Sequence, residues 1–462
     1  MHDRVSAMMN RRDWIATAGA SAAALQGQTR RPNFVVIMSD DQGSHDLGCY
    51  GAKDVKTPHI DQLAGSGVRF TNWYSCAPVC APSRAALQTG RYPVRAGVVT
   101  NGQPLGMKQH TLPSRLKSAG YATGLIGKWH LGDTPETVPN ARGYDYFYGF
   151  LPGCVDFYSH IYYWGESSAQ NRKVNFHSLF RNREEIWEDG QYLTERITQE
   201  SVGFIEKHKA EPFLLCVTYN AVHYPMHAPE KYKERFPNLP PERQIYAAML
   251  AAMDDGVGAI RKALERNGLL DNTLIFFVAD NGATTEPRAG LQQQPATAGD
   301  NGVYRGFKFS LFDGGMHVPG IMSWPGRIKA GQVCNELAMT MDIAPTIWQA
   351  AGVPPEAGYV MDGRDILPVA AKGAPSPHKG APLFWENGQQ SAARKGQWKL
   401  VLRGNEYGRT PETRGELKGD DAVWLSDLEA DPSEKRNLRH RHPEIVDELQ
   451  SAIHAWKEDT RK

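Results

Sequence analysis

The stretch "FVVIMSDDQG", Phe34–Gly43, sets the fold class. Phe34–Met38 is a short apolar run, which reads as a strand buried on both faces. A polar cluster with Asp40 and Asp41 follows at once. The same layout recurs along the chain. Tyr121–Ile126 precedes "GKWHLG", with Lys128 and His130. Phe213–Thr218 precedes "YNAVHYPMHAP", with His223 and His227, and Leu274–Ala279 precedes "DNGA", with Asp280 and Asn281. Helical patterns lie between these runs. Met249, Met253, Val257, Ile260 and Leu264 recur at helical spacing and Gly268 stops them; Leu193, Ile197, Phe204 and Ile205 mark another helix. Strands alternating with helices predict a mostly parallel sheet covered on both faces. In such a sheet the loops beyond the carboxyl ends of the strands build the site. Parallel strands would therefore gather all four clusters at one edge.

Three carboxylates and an amide carbonyl are hard oxygen ligands, suited to Ca²⁺ or Mg²⁺ more than to zinc. Taken singly, "DDQG" and "DNG" also read as turns. Adjacent acids repel unless a cation sits between them, so a solvent-facing turn is the alternative to a ligand role for Asp40 and Asp41.

The totals bound the rest. A chain of 462 residues holds one large α/β domain and a smaller one, or three ordinary domains. The 52 basic and 51 acidic side chains leave a net charge of +1, which argues against a broad nucleic-acid footprint. No apolar run is long enough to span a membrane. Six cysteines without CxxC spacing are not a disulfide scaffold, and Cys216, inside "FLLCV", reads as a core thiol.

Residues 1–30 have the layout of an export signal. Arg11-Arg12 precedes an apolar, Ala-rich stretch from Trp14 to Leu25, which points to the twin-arginine route and an exported, periplasmic or secreted protein. The catalytic domain is expected over 31–370. Ala370–Pro382 is a Pro/Gly/Ala linker. A smaller α+β domain follows over 371–462, with strand-like "PLFWE" and "WKLVLR" and a last helix opened by Pro443. Ile445, Leu449, Ile453 and Trp456 would form its buried stripe. Thr284–Gly302 has no periodicity and is a long loop, a length usually reserved for function or disorder.

One segment has a different character. In "SCAPVCAPSRAALQTGRYP", Ser75–Pro93, Pro82 marks the first turn of a helix. Cys80 then sits at a helix N-terminus, where backbone N–H groups favour negative charge. Arg84 lies about one turn on, toward the same anion. Cys76 has no assignable role and reads as a buried thiol.

These residues resemble the type I sulfatases of the alkaline-phosphatase-like superfamily, arylsulfatase-like in character. The family signature C-x-P-S-R stands here as Cys80–Arg84, followed by Thr89-Gly90-Arg91. "DDQGSHDLGCYG", "GKWHLG", "ADNGA" and "YRGFKFSLFDGGMHVP" resemble further family blocks, and the C-terminal "RKGQWKLV" and "LSDLEADPSEKRNL" resemble its closing domain. The resemblance implies an α/β fold with a large, mostly parallel sheet sandwiched by helices. It implies that a formylglycine-generating or radical-type maturation enzyme oxidises Cys80 to formylglycine. The hydrated aldehyde carries two hydroxyls; one attacks sulfur and expels the alcohol, and the other then loses its proton and re-forms the aldehyde C=O, breaking the C–O bond to the sulfated oxygen and releasing sulfate. Asp40, Asp41, Asp280, Asn281 and the converted Cys80 would bind Ca²⁺. Arg84 and Lys128 would hold the hydrate and sulfate, His130 would be the base for elimination, and His223 and Lys308 would contact sulfate and help protonate the leaving oxygen.

Two departures touch the substrate side. Val79 stands where Leu is common, and Asp313 and His317 in "DGGMHVP" replace the usual Glu and Arg. The aromatic stretch "GCVDFYSHIYYWGE", Gly153–Glu166, resembles a segment of the N-acetylgalactosamine-sulfate branch. Its rings, with Asp156 and His160, would line a sugar subsite, or else pack a loop onto the sheet. The reading is a sulfate ester hydrolase acting on a sulfated carbohydrate. A phosphomonoester or phosphonate-ester hydrolase and a non-catalytic binder of sulfated glycans are the alternatives.

Overall fold

The computed structural model describes residues 30–163 and 176–462. Residues 1–29 of the expected export signal lie outside the described residues, as do Trp164–Glu166 of the aromatic stretch. Among the described residues, no helix is long and apolar enough to cross a membrane.

Ten strands form one sheet: β1 (Asn33–Ser39), β2 (Val68–Tyr74), β3 (Ala122–Lys128), β4 (Tyr146–Phe150), β5 (Phe180–Arg181), β6 (Glu184–Glu185), β7 (Phe213–Thr218), β8 (Thr273–Ala279), β9 (Gly320–Ser323) and β10 (Gln332–Met339). Their order is β10-β2-β9-β8-β1-β7-β3-β4-β5-β6. The central run β8-β1-β7-β3-β4 is parallel throughout. β9 is antiparallel to both its neighbours, and β5 and β6 add an antiparallel edge. The four strands read from sequence occupy the centre, because burial on both faces demands the unbroken apolar runs that make them legible.

Alternate side chains of β1 serve two cores. Val35 and Ile37 pack with Met249, Met253, Val257 and Ile260 of the long helix Pro241–Arg266 and with Ile197 and Ile205 of helix Leu193–His208. Phe34, Val36 and Met38 point to the other face, toward Phe276, Val278, Ile347 and Trp348. The layered sandwich expected from sequence is therefore present.

A second sheet, β11 (Leu383–Asn387), β12 (Gln390–Lys395), β13 (Trp398–Leu402) and β14 (Val423–Asp427), is antiparallel throughout. Helix Pro443–Thr460 covers it with buried Leu449, Ile453 and Trp456, and Ile445 packs at the margin. The small sheet supports the site directly. Trp385 donates its indole N–H to the Ser75 carbonyl at 2.8 Å, and Asn387 and Gln390 donate to the Phe309 carbonyl at 2.7 and 2.9 Å. Residues 32–462 form one compact unit.

All six cysteines are free thiols. Cys216 is fully buried, as expected of a core thiol. Cys76 is buried too and accepts the Met341 N–H at 3.3 Å.

Candidate active site

The neighbours β8, β1, β7 and β3 end side by side, and their polar clusters meet there. Backbone bonds fix the approach. Asp40 N–H donates to the Ala221 carbonyl, Val222 N–H to the Asp40 carbonyl and Asp280 N–H to the Ser39 carbonyl, at 2.9–3.2 Å. Asp41, in the left-handed region at φ 55°, donates its N–H to Asp280 Oδ1 at 3.2 Å. At the end of β3, Gly127 (φ 118°) lets β3 pass close to β7: a Cβ there would lie 1.9 Å from the Thr218 carbonyl oxygen. Lys128 follows and enters the site.

Cys80 is the first residue of the fully buried helix Cys80–Thr89. Gly90 ends that helix at φ 67° and closes its last turn by donating N–H to Ala86. A Cβ at Gly90 would lie 2.4 Å from Met361 Sδ, so this glycine is required for space as well as for conformation. Cys80 Sγ lies 3.6 Å from Asp40 Oδ1 and 3.9 Å from Asp41 Oδ1.

Three cations surround these acids. Arg84 grips Asp280 Oδ2 with Nε and Nη2 at 3.1 and 2.8 Å and reaches Asp40 at 3.5 Å. Lys128 Nζ donates to Asp40 Oδ2 at 2.7 Å, and Lys308 Nζ to Asp41 Oδ2 at 2.9 Å. Every one of these side chains is buried. Burial alone would raise Asp40, but Lys128, Arg84 and Lys308 outweigh it and hold the carboxyl below its ordinary value. Among the described residues Asp41 has only Lys308 as a close cation, and burial pushes it up to about 7. Burial and the Asp40 charge raise Asp280 as well. An anion cluster that its cations compensate unevenly is suited to a further positive charge.

The donor set fits a hard cation. Asp40, Asp41 and Asp280 offer carboxylate oxygens, and Asn281 Oδ1 is buried without a partner among the described residues. Asp40, Asp41, Cys80 and His223 each place a possible ligand atom within 4.8 Å of the others. Oxygen donors in that proportion suit Ca²⁺.

His223 has its tautomer fixed. Nδ1 donates to the Tyr224 carbonyl at 2.7 Å, so Nε2 is the acceptor facing Lys308 Nζ at 3.4 Å. Burial, then Lys308 and Lys128, lower it well below the ordinary histidine value. His130, at φ 59°, is lowered in the same sense by burial, Lys128 and Arg84. Both imidazoles are therefore neutral at neutral pH.

Beside the cluster, sharing His130 and Glu286 with its surroundings, lies a cavity of about 460 Å³, lined among others by Asp133, Tyr162, Phe176 and Arg288. Glu286 and Arg288 come from the long loop Thr284–Gly302, whose lack of periodicity offers no pattern by which to find them. Glu286 holds Lys308 at 3.1 Å and Arg288 at 2.7 Å, so it orders one wall of the cavity.

The expectations for the substrate side need correction. Asp156 accepts the N–H groups of Tyr158 and Ser159 and faces His227 at 3.3 Å, while His160 is fully buried against the Gln191 carbonyl. Neither lines the cavity. Tyr162 and Phe176 line it instead, stacked at 4.9 Å between centroids. Asp313 does not line the cavity either: it binds Lys399 at 2.5 Å and Tyr74 Oη at 2.7 Å, joining the small sheet to the large one. His317 Nε2 donates to the Thr71 carbonyl at 2.8 Å, away from this cavity. A polar residue in a motif can serve the fold rather than the ligand, and a local sequence does not show which partner it will meet.

A sulfatase family model matches residues 32–353, and a model of the N-sulphoglucosamine sulphohydrolase C-terminal region matches 299–459. Arylsulfatase J of Mus musculus is 31% identical, covering 96% of this chain and 77% of its own. N-acetylgalactosamine-6-sulfatase of Mus musculus is 34% identical over 81% of this chain and 73% of its own. The solved structure of Ps i-CgsB in complex with k-i-k-neocarrahexaose has 32% identity and a TM-score of 0.81, covering 93% of this chain and 94% of that one. A phosphonate monoester hydrolase of Agrobacterium radiobacter shares the fold, with a TM-score of 0.64 at 21% identity over 93% of this chain and 96% of its own. The matched regions together span the whole described core and contain every residue of the buried cluster, and on that ground this chain belongs to the sulfatase family.

Proposed function

We propose that this chain hydrolyses the sulfate ester of a sulfated carbohydrate, with Cys80 acting as formylglycine after oxidation by a maturation enzyme. The supporting observation is the position of Cys80. Its Sγ sits at the start of a buried helix, within 4 Å of two carboxylates, and Arg84, Lys128 and Lys308 converge on the same carboxylate cluster. A buried thiol has no use for so much charge. An anionic ester approaching a nucleophile at residue 80 does.

Asp40, Asp41, Asp280, Asn281 and residue 80 would hold Ca²⁺. When bound, Ca²⁺ supplies the positive charge that lets an anionic ester and an ionised hydroxyl share one site. Arg84 and Lys128 hold the sulfate oxygens and the hydroxyls of residue 80. Lys308 keeps its proton strongly, because Asp41, Cys80 and Glu286 outweigh its burial. With His223 neutral, Lys308 is the cationic donor on the leaving-group side, and His223 Nε2 is placed to exchange its proton. His130, neutral and at the cavity wall, takes the proton that the second hydroxyl loses when sulfate departs. These roles split one difficult displacement into two assisted steps.

Two similarities support a carbohydrate substrate: the N-acetylgalactosamine-6-sulfatase of Mus musculus and the carrahexaose-bound structure. The stacked Tyr162 and Phe176 offer a ring platform of the kind sugars use. Export through the twin-arginine route belongs to the same proposal. Kinetics on a matched aryl sulfate and aryl phosphate, followed by defined sulfated oligosaccharides, test it. The expected result is a strong preference for sulfate and sulfate release from a sugar. A preference for phosphate would overturn it.

A further inference from the structure

A second cluster of metal-ligating side chains lies outside the active site, beneath the wall that carries Tyr162 and Phe176. His160, His177 and Asp189 each place a ligand atom within 4.8 Å of the others. His160 is fully buried, and the His177 side chain is 3% exposed. Each imidazole has one nitrogen engaged and the other buried without a partner. His160 Nε2 meets the Gln191 carbonyl at 3.2 Å, which makes it the N–H and leaves Nδ1 as a lone pair. His177 Nδ1 meets Glu185 Oε1 at 2.9 Å, which leaves Nε2 as a lone pair. An imidazole that donates one N–H to a carboxylate or carbonyl and aims the other nitrogen at a common point is the arrangement that orients metal-binding histidines. Two unmatched lone pairs inside a protein are otherwise costly, since a buried polar atom normally finds a partner.

The geometry points to a Zn²⁺ site built from His160 Nδ1, His177 Nε2 and the Asp189 carboxylate. Imidazole donors disfavour Ca²⁺ and Mg²⁺, and two histidines with one carboxylate suit zinc. Bonds of about 2.0–2.1 Å require ligands closer together than the cluster's outer limit, and Asp189 is the exposed member able to swing in. The indole of Trp187 stacks on His177 at 3.8 Å and covers its open face. The backbone gives the site a purpose. Ile161 bridges His177, and Tyr162 N–H donates to the Phe176 carbonyl at 2.8 Å. The ion would tie together the two segments that carry the ring platform of the cavity: Tyr162 lies two residues after His160, and Phe176 immediately precedes His177. It therefore acts as a brace for the substrate wall and takes no part in bond breaking.

Untagged mature enzyme, kept in excess Ca²⁺ so that the catalytic cluster is occupied, is dialysed against Zn²⁺ and analysed for metal content and thermal midpoint. The expected result is one Zn²⁺ per chain, with a midpoint that rises with Zn²⁺. Both effects disappear in His177→Ala. Glu185→Gln, which loosens the imidazole without removing it, weakens binding roughly 10- to 100-fold. Asp41→Asn keeps the Zn²⁺ equivalent, which places the ion outside the catalytic cluster. Should His177→Ala fail to fold, Asp189→Asn, an exposed change, serves in its place and also loses the ion. Wild-type enzyme that binds no Zn²⁺, or binds it equally with His177 or Asp189 replaced, overturns the site.

Discussion

Lys128→Met removes one charge from the active site with little change in volume. Lys128 is fully buried, and its ammonium lies 2.7 Å from Asp40 Oδ2. The other cations that act on Asp40 are committed elsewhere: Arg84, at 3.5 Å, grips Asp280, and Lys308 is paired with Asp41. The substitution therefore leaves a buried carboxylate half-compensated, which costs about 3–5 kcal/mol. Across a chain of 462 residues, that lowers the thermal midpoint by roughly 3–5 °C in chelator. In Ca²⁺ the deficit shrinks, because a divalent cation on Asp40 replaces the lost charge. The rate falls further than the stability. A donor aimed at charge that develops in the transition state is worth roughly 100- to 1,000-fold in kcat. Lys128 lies outside Cys80–Arg84, so conversion of residue 80 should proceed, and mass spectrometry checks this. Steady-state kinetics on an aryl sulfate then isolate the charge. A converted Lys128→Met enzyme with kcat within about tenfold of wild type, and with an unchanged midpoint in chelator, would refute the charge arrangement described for the site.

Three further outcomes are expected. Chelation should abolish sulfate release and lower the thermal midpoint, and Ca²⁺ should restore both; activity that persists after exhaustive chelation would contradict the ligand assignment. Lys399→Met should destabilise by about 3–5 kcal/mol, because Lys399 is buried between Asp313 and Glu434 and its loss strands two carboxylates. Adding Glu434→Gln should recover part of that loss in a melting experiment. Asp254 is pushed up to about 7 by burial, against the Ile60 and His59 N–H groups, so its ionisation opposes folding progressively between pH 3.8 and about 7. The midpoint of Asp254→Asn relative to wild type should therefore rise across that window and level off above it, and a flat difference would contradict the assignment.

The central strands and their terminal clusters were legible because both follow from burial. A strand covered on two faces must be apolar throughout, and charge can gather only where such a strand ends. β2, interrupted by Arg69, Thr71 and Asn72, and the edge strand β10, with exposed Val333, lack that signature. They are recognised only by their partners. Cys80 and Arg84 were legible from their spacing on a helix start. Glu286 was not, since it sits in an aperiodic loop and its position beside Lys308 depends on how Lys308 N–H bonds back to Ala283. Asp313 shows the opposite failure. Its motif suggested substrate contact, but its partner Lys399 lies 86 residues away in the small sheet, out of reach of any local reading.

The proposed catalysis turns on the chemical state of residue 80. Mass spectrometry of the peptide spanning Cys80, from enzyme co-produced with a maturation system and assayed for sulfate release in parallel, measures it directly. The expected result is formylglycine at position 80, with activity proportional to the converted fraction. Full activity in enzyme whose residue 80 is entirely unmodified cysteine would contradict it.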